Sequence, residues 1–352
     1  MTHIDKSKPV MITGATGYVA GWLLKKLLKK GITVHAAVRN PEDEEKLVFL
    51  NELAVNSPGK IKYFKSDLLN YGSYAQAMEG CELVFHTASP FALDVNDPVK
   101  DLIEPAQLGT RNVLEQANNT LSVKRVVLTS SCAAIFGDNA DLMQTPNHIF
   151  TEEIWNTSST PKHNPYSYSK TLAEKEAWHI HDKQSRWDLV VINPSLVLGP
   201  AVNPLVNSSE SFKIIKQFGD GTFKTGVPKL GFGIVDVRDL AFAHYQAGFV
   251  PEAKGRHIVS GHNTFFLAMA KTLLPRYGNK YPIPQKEVSK WLIWFIGPML
   301  NKALTRKFIS RNVGYPWIGD NSKSKTALGV SYRPLVETMT DTFQQLIDNK
   351  IL

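Results

Sequence analysis

The chain has 352 residues, 43% of them hydrophobic, which is enough to bury a large core as one α/β domain or, as we expect, as a nucleotide-binding domain with a smaller companion. Its formal charge of +8 suits an anionic ligand, but the 40 lysines and arginines are scattered and not interleaved with aromatics, so no nucleic-acid surface is expected. Two cysteines, Cys81 and Cys132, exclude a disulfide framework and a cysteine metal site, and with no secretory apolar core near Met1 they point to a reducing cytoplasm.

The first element is a short apolar run, Val10 to Thr13, leading through a glycine-bearing turn into an amphipathic helix. Leu24, Leu27 and Leu28 recur at helical spacing, and Lys25, Lys26, Lys29 and Lys30 take the other face. Gly14 and Gly17 stand where a missing Cβ lets backbone N–H groups approach a pyrophosphate at the positive end of that helix. A second strand, Ile32 to Val38, follows at the distance a βαβ unit requires.

That strand ends at Arg39, where a carboxylate would grip the ribose of NAD and an arginine can fork onto the 2′-phosphate of NADP; the cofactor expected is therefore NADP(H). Asn40 is the predicted cap of the next helix, with Pro41 at its first position. A third strand runs from Ile61 to Lys65, and the Asp67 after it either accepts from an adenine amino group or caps a helix. A fourth, Leu83 to His86, leads into Thr87 to Phe91, whose small residues let backbone pass close to a cofactor, with Phe91 at the pocket mouth.

A helix through Gly109 and Leu114 leads to the apolar run Arg125 to Ser131. This alternation predicts a Rossmann-type doubly wound parallel sheet, with ligands outside the carboxyl ends of its strands, where Ser130 and Ser131 lie. Tyr166 and Lys170 are four apart on a predicted helix and so share a face; alone, such a pair is more often a surface tyrosine beside a surface lysine. His179 and His181 are two apart, on different faces, and no metal site is expected.

A sixth strand, Asp188 to Val197, is broken by Asn193, Pro194 and Ser195 where a nicotinamide would lie. The predicted nucleotide-binding domain covers residues 1–200 and is completed by 233–258; residues 201–232 and 259–352 form mainly the substrate-binding part, the last helix packing back. Trp291 to Leu300 is apolar but, at ten residues, too short to span a bilayer that needs ~20, so it is expected to cover the pocket or pack in the smaller domain, with membrane-surface contact as the alternative.

Taken together, TGATGYVA from Thr13, Asp67, TSS from Thr129, Tyr166 with Lys170, and NPSLVLGP from Asn193 resemble an extended short-chain dehydrogenase/reductase, nearest the dihydroflavonol-reductase-like branch of NADPH-dependent ketone and aldehyde reductases. The resemblance spans nearly the whole chain and is specific for the superfamily, much less so for the substrate. It implies that Ser131 polarises a carbonyl, Tyr166 donates the proton and Lys170 assists it; on electrostatic grounds an ammonium one helical turn away is expected to make the phenol more acidic, and Lys170 can also hold the nicotinamide ribose. For the cofactor it implies Gly14, Thr16, Gly17, Tyr18 and Val19 at the pyrophosphate, Arg39 and Lys46 at the 2′-phosphate, and Asp67 and Leu68 near the adenine. Thr87, Ala88, Ser89, Thr129, Tyr166 and Lys170 follow along the cleft, and Pro194, Leu196, Val197 and Ser209 border the nicotinamide half.

The sequence departs from the family pattern at Ala20, in place of the third glycine, and at Phe136, where flavonoid enzymes place a substrate-binding asparagine. Phe91, Ser131, Phe136 and Tyr166 are the substrate-side candidates for a small-molecule carbonyl, in a monomer or homodimer. The competing readings are an NAD-dependent nucleotide-sugar epimerase or dehydratase, a hydroxysteroid dehydrogenase on the same fold, and a non-catalytic NADP-sensing module.

Overall fold

The computed structural model describes residues 1–89, 97–203, 209–300 and 304–352. Its strands are β1 (Val10–Thr13), β2 (Thr33–Val38), β3 (Lys60–Lys65), β4 (Leu83–His86), β5 (Arg125–Thr129), β6 (Asp188–Pro194), β7 (Leu196–Leu198), β8 (Val227–Pro228), β9 (Gly231–Asp236), β10 (Gly255–Val259), β11 (His262–Phe265) and β12 (Glu287–Val288). The helices are α1 (Tyr18–Lys29), α2 (Glu44–Val55), α3 (Ala75–Met78), α4 (Glu104–Asn119), α5 (Pro165–His181), α6 (Glu210–Gly219), α7 (Val237–Phe249), α8 (Phe266–Lys271), α9 (Leu274–Tyr277), α10 (Lys290–Leu300), α11 (Arg306–Asn312), α12 (Ser322–Leu328) and α13 (Leu335–Asp348).

Seven strands form one sheet in the order β10-β6-β5-β4-β1-β2-β3, every neighbouring pair parallel. The order reverses between β1 and β4, so the carboxyl ends of these two strands open the crevice in which such sheets hold ligands. β1 and β4 are buried at every residue because helices cover both faces. On one face Leu23, Leu24, Leu27 and Leu28 of α1 pack with Leu240 and Ala243 of α7; on the other, Val113 and Leu114 of α4 pack with Ala177 and Ile180 of α5.

Two local expectations are corrected. α2 begins at Glu44, not at Pro41: Asn40 Oδ1 accepts the Glu42 N–H in a turn of its own, and Asp43 is the cap, accepting the Lys46 N–H at 3.2 Å. The sixth strand is two strands in two sheets, because the chain leaves the main sheet after Pro194 and re-enters as β7, beside β9 and then β11. α13 packs Met339, Phe343 and Leu346 against Phe212 and Phe218 of α6 and Met269 of α8. It also reaches back to the nucleotide-side segment: Thr342 Oγ1 accepts the Gly199 N–H at 2.9 Å, and the Gln345 amide brackets Ala201.

Candidate active site

The glycine turn after β1 fits a dinucleotide on geometric grounds. Gly14 has a φ of 64°, and a Cβ there would lie 3.0 Å from Ala88 Cα, so the position needs glycine twice over. Gly17 caps α1 without a side-chain hydrogen bond, and the first turn of α1 carries no acidic residue, so its leading N–H groups face the crevice as donors for an anion. Thr13 ties this turn to the end of β4: its Oγ1 accepts from the N–H groups of Thr87 and Ala88 at 3.1 and 3.0 Å and bonds His86 Nδ1 at 2.9 Å. Sequence reading assigned Thr13 no such part, since only the parallel pairing of β1 with β4 brings residues 74 apart together. We expect Gly14→Ala to destabilise the fold by about 1–3 kcal/mol and to weaken NADPH binding, measured by thermal denaturation and by quenching of protein fluorescence.

The other cofactor-side candidates fall into distinct settings. Arg39 is exposed at the end of β2 and makes no ion pair among the described residues. Lys46 is instead paired with Asp43 at 2.7 Å, a consequence of the later start of α2. Asp67 Oδ1 accepts the Leu69 N–H at 2.8 Å and stabilises a turn, and Leu68 packs on Gly109 of α4. The Tyr18 side chain points away from any phosphate: its hydroxyl donates to the Gly199 carbonyl at 2.5 Å and its ring meets Phe212 edge-on, leaving only the backbone for an anion. Thr16 and Val19 flank Gly17 as half-buried residues. Thr129 Oγ1 bonds His244 Nε2 at 2.7 Å. Pro194 closes β6, while Leu196 and Val197 lie in β7 opposite Ile234 and Val235. Ser209 Oγ is buried with no hydrogen-bond partner among the described residues. Phe91 lies outside the described residues.

At the end of β5 the three catalytic candidates converge. Ser131 has extended backbone and caps the 3₁₀ turn Cys132–Ala134, its Oγ accepting the Ala133 N–H at 3.1 Å and pairing with the Tyr166 hydroxyl. Tyr166 is the second residue of α5, one turn before Lys170, whose Nζ lies 5.8 Å from the tyrosine ring centre and donates to Ser89 Oγ at 2.8 Å. The entry to α5 is set by Asn164, a non-glycine residue with φ 55°; its Nδ2 donates to the Gly137 carbonyl at 2.7 Å and to Asp138 Oδ1 at 3.0 Å. Asp138 also receives His163, Arg311 and Asn312, so the start of α5 is anchored to α11, nearly 150 residues later in the chain.

The electrostatics differ from expectation. Burial pushes Tyr166 up to about 12, and the Ser131 hydrogen bond offsets only part of this; burial also pushes Lys170 down to about 8. Burial is the largest influence on both groups, and the Lys170 ammonium faces the tyrosine ring and Ser89. The phenol therefore stays neutral and able to donate across the physiological range.

Behind these residues lies a buried carboxylate that sequence reading passed over. Glu174, one further turn along α5, accepts from Ser130 Oγ at 2.5 Å, Asn193 Nδ2 at 2.7 Å, Arg256 Nε at 2.5 Å and Trp178 Nε1 at 3.3 Å. Asn193 Nδ2 also donates to the Ser131 carbonyl at 3.1 Å. The ends of β5 and β6 and the middle of α5 thus share one charge. Its one sequence signal was a glutamate four residues after Lys170, on the same helical face.

Comparison with known proteins sharpens this picture. The sequence profile of the NAD dependent epimerase/dehydratase family matches residues 10–260. The chain is 36% identical to cinnamoyl-CoA reductase CAD2 of Medicago truncatula, over 99% of both chains. The chain belongs to this family. Anthocyanidin reductase of Arabidopsis thaliana is 35% identical over 79% of this chain and 82% of its own length. Among solved structures, yeast methylglyoxal/isovaleraldehyde reductase Gre2 complexed with NADPH superposes with a TM-score of 0.77 at 28% identity, covering 97% of this chain and 99% of that one.

Within this epimerase/dehydratase family member, Phe136 packs against a buried aromatic cluster. Phe136 stacks on Phe150 at 4.9 Å, and both meet Trp317 at 6.0 and 6.2 Å. Trp317 is seated by Gly233 and Gly319, where a Cβ would fall 2.3 Å from its ring. A separate cavity of 550 Å³ is lined by Ile135, Phe150, Trp155, Asp141 and Lys307, and by none of Ser131, Tyr166 and Lys170. No helix among the described residues is long and apolar enough to cross a membrane.

Proposed function

We propose that this chain is an NADPH-dependent reductase that converts a ketone or aldehyde to an alcohol, with Ser131, Tyr166 and Lys170 as its catalytic residues. The observation that carries the reading is the pairing of the Ser131 and Tyr166 hydroxyls at the carboxyl end of β5, one helical turn from Lys170. When bound, the reduced nicotinamide supplies the hydride. The protein must supply the proton and hold the developing negative oxygen. Ser131 and Tyr166 present two hydroxyls to one oxygen, and Tyr166 gives up its proton. An alkoxide is a far stronger base than a phenolate, even that of a phenol raised to about 12, so the proton transfer runs downhill. The reverse reaction needs a phenolate, which burial of the ring disfavours.

Lys170 holds Ser89 on the far wall of the crevice and keeps a cation beside the phenol, both of which suit a ribose hydroxyl between them. Arg39 supports the preference for NADPH: it stands exposed and free of ion pairs among the described residues, where a 2′-phosphate would sit. The division into a nucleotide-binding part and a substrate part at 201–232 and 259–352 belongs to the same reading. The half-buried ring of Phe136, backed by the buried Phe150 and Trp317, favours an apolar or aromatic small-molecule carbonyl over a polyhydroxylated sugar. The buried free thiols Cys81 and Cys132 favour a reducing cytoplasm.

Cofactor titration tests this reading. Wild-type protein should bind NADPH more tightly than NADH, and Arg39→Asp should reverse or erase that preference, by roughly tenfold or more. Equal affinity for both cofactors in the wild type would remove the assignment of Arg39.

A further inference from the structure

The helix α10 carries a surface that the reductase reading does not use. Trp291, Leu292, Phe295, Ile296 and Met299 are 75, 51, 61, 40 and 86% exposed, one continuous stripe at helical spacing. The opposite side of the helix is occupied: Ile293 packs with Ile309 and Val313, and Gly297 approaches Ile309 of α11. Exposed large apolar side chains elsewhere among the described residues are scattered along the chain, so five within nine positions mark a patch. Of the expectations for this stretch, covering the pocket or packing in the smaller domain, the contacts with α11 bear on the inner face alone.

Cations flank the stripe in the sequence, and the Arg306 guanidinium lies 4.7 Å from the ring centre of Trp294 on the same helix. From residue 280 to 311 the sequence has five lysines and two arginines against a single carboxylate, Glu287. Arg311 is held by Asp138 and Asp141, but Lys286, Arg306 and Lys307 are exposed and make no ion pair among the described residues. A second copy docked on this face about a two-fold axis would bring the same cations against one another. An anionic lipid surface accepts both the apolar stripe and its basic border. Eleven residues make a helix of about 16 Å, roughly half a bilayer's apolar thickness, so the helix lies in the plane of the interface.

We propose that α10 docks the protein reversibly on anionic phospholipid, seating Trp291, Phe295 and Met299 among the acyl chains with Arg306 and Lys307 at the headgroups. This proposal stands independently of the catalytic assignment. The test is co-sedimentation of the full chain with vesicles of phosphatidylcholine alone or of phosphatidylcholine with phosphatidylglycerol, at low and high salt, alongside sedimentation equilibrium without lipid. The expected result is binding to the anionic vesicles, weakened by salt and reduced roughly tenfold or more both by Trp291→Ser with Phe295→Ser and by Arg306→Glu with Lys307→Glu. Circular dichroism confirms folding of the variants; the charge-reversal pair and the salt series decide the matter if the apolar variant unfolds. Absence of binding to anionic vesicles, equal binding by the variants, or a lipid-free dimer that the Trp291→Ser, Phe295→Ser variant converts to monomer would overturn the proposal.

Discussion

Tyr166→Phe should lower kcat/KM for carbonyl reduction by about 10²–10⁴-fold while leaving NADPH binding within a few-fold of wild type. The substitution removes one oxygen from a half-buried helix start and leaves the ring beside Lys170, so the fold and the crevice persist. What is lost is the donor. Ser131 keeps its hydroxyl and can still polarise a carbonyl, but its ordinary acidity is far too weak to deliver a proton. The pH dependence separates the groups: with Tyr166 near 12, reduction should not fail through loss of the phenol proton below about pH 11. A fall centred near pH 8 is expected instead, because the Lys170 ammonium, its affinity for the proton lowered by burial, is present below that pH and lost above it. Steady-state rates from pH 6 to 10, in wild type and Tyr166→Phe, read both effects. A wild-type profile that stays flat from pH 6 to 10 would remove Lys170 from the chemistry.

The second large effect falls on Glu174. Glu174→Ala should destabilise the protein by about 3–5 kcal/mol, because it leaves the buried Arg256 guanidinium without its counter-charge. Arg256 is otherwise held by the Glu152 and Ile154 carbonyls at 2.7 Å and by the face of Trp155 at 4.0 Å, none of which neutralises it. The same change frees Ser130 and Asn193, and Asn193 holds the Ser131 carbonyl, so kcat should fall beyond what the loss of stability explains. Glu174→Gln keeps the shape and some of the hydrogen bonds and should recover part of both. Chemical denaturation and kcat, measured on folded protein at low temperature, distinguish this positioning role from a purely structural one: an Ala variant that is destabilised yet retains wild-type kcat would confine Glu174 to the fold.

Much of the fold was legible in the sequence because the signals were local. The leucine stripe of α1, the apolar runs of β1, β4 and β5, and the glycine turn between β1 and α1 each occupy a few consecutive residues, and the alternation of such units leaves few topologies. What escaped was set by distant partners. The start of α2 moved because Asp43 outcompeted Asn40 for the cap, a choice that pattern alone leaves open. Thr13, Glu174 and Asp138 gain their parts chiefly from residues 19 or more positions away, and nothing in their immediate neighbours announces it. Tyr166 and Lys170 were recognisable by spacing, but their proton affinities were not, since burial depends on the whole fold and here outweighs the attraction between neighbours. The exposed stripe of α10 has the same origin: the sequence showed an apolar helix, and only the packing of α11 against one side shows which side is left over.

The most direct measurement of the central claim is the disappearance of reduced-nicotinamide absorbance when the purified protein meets a panel of aldehydes, ketones and diketones, with the alcohol product identified in each case. The account predicts NADPH-dependent formation of alcohol from at least one apolar or aromatic carbonyl, slower with NADH and lost in Tyr166→Phe. NADPH that binds and is never consumed across the panel, or consumption that is undiminished without the phenol, would contradict it.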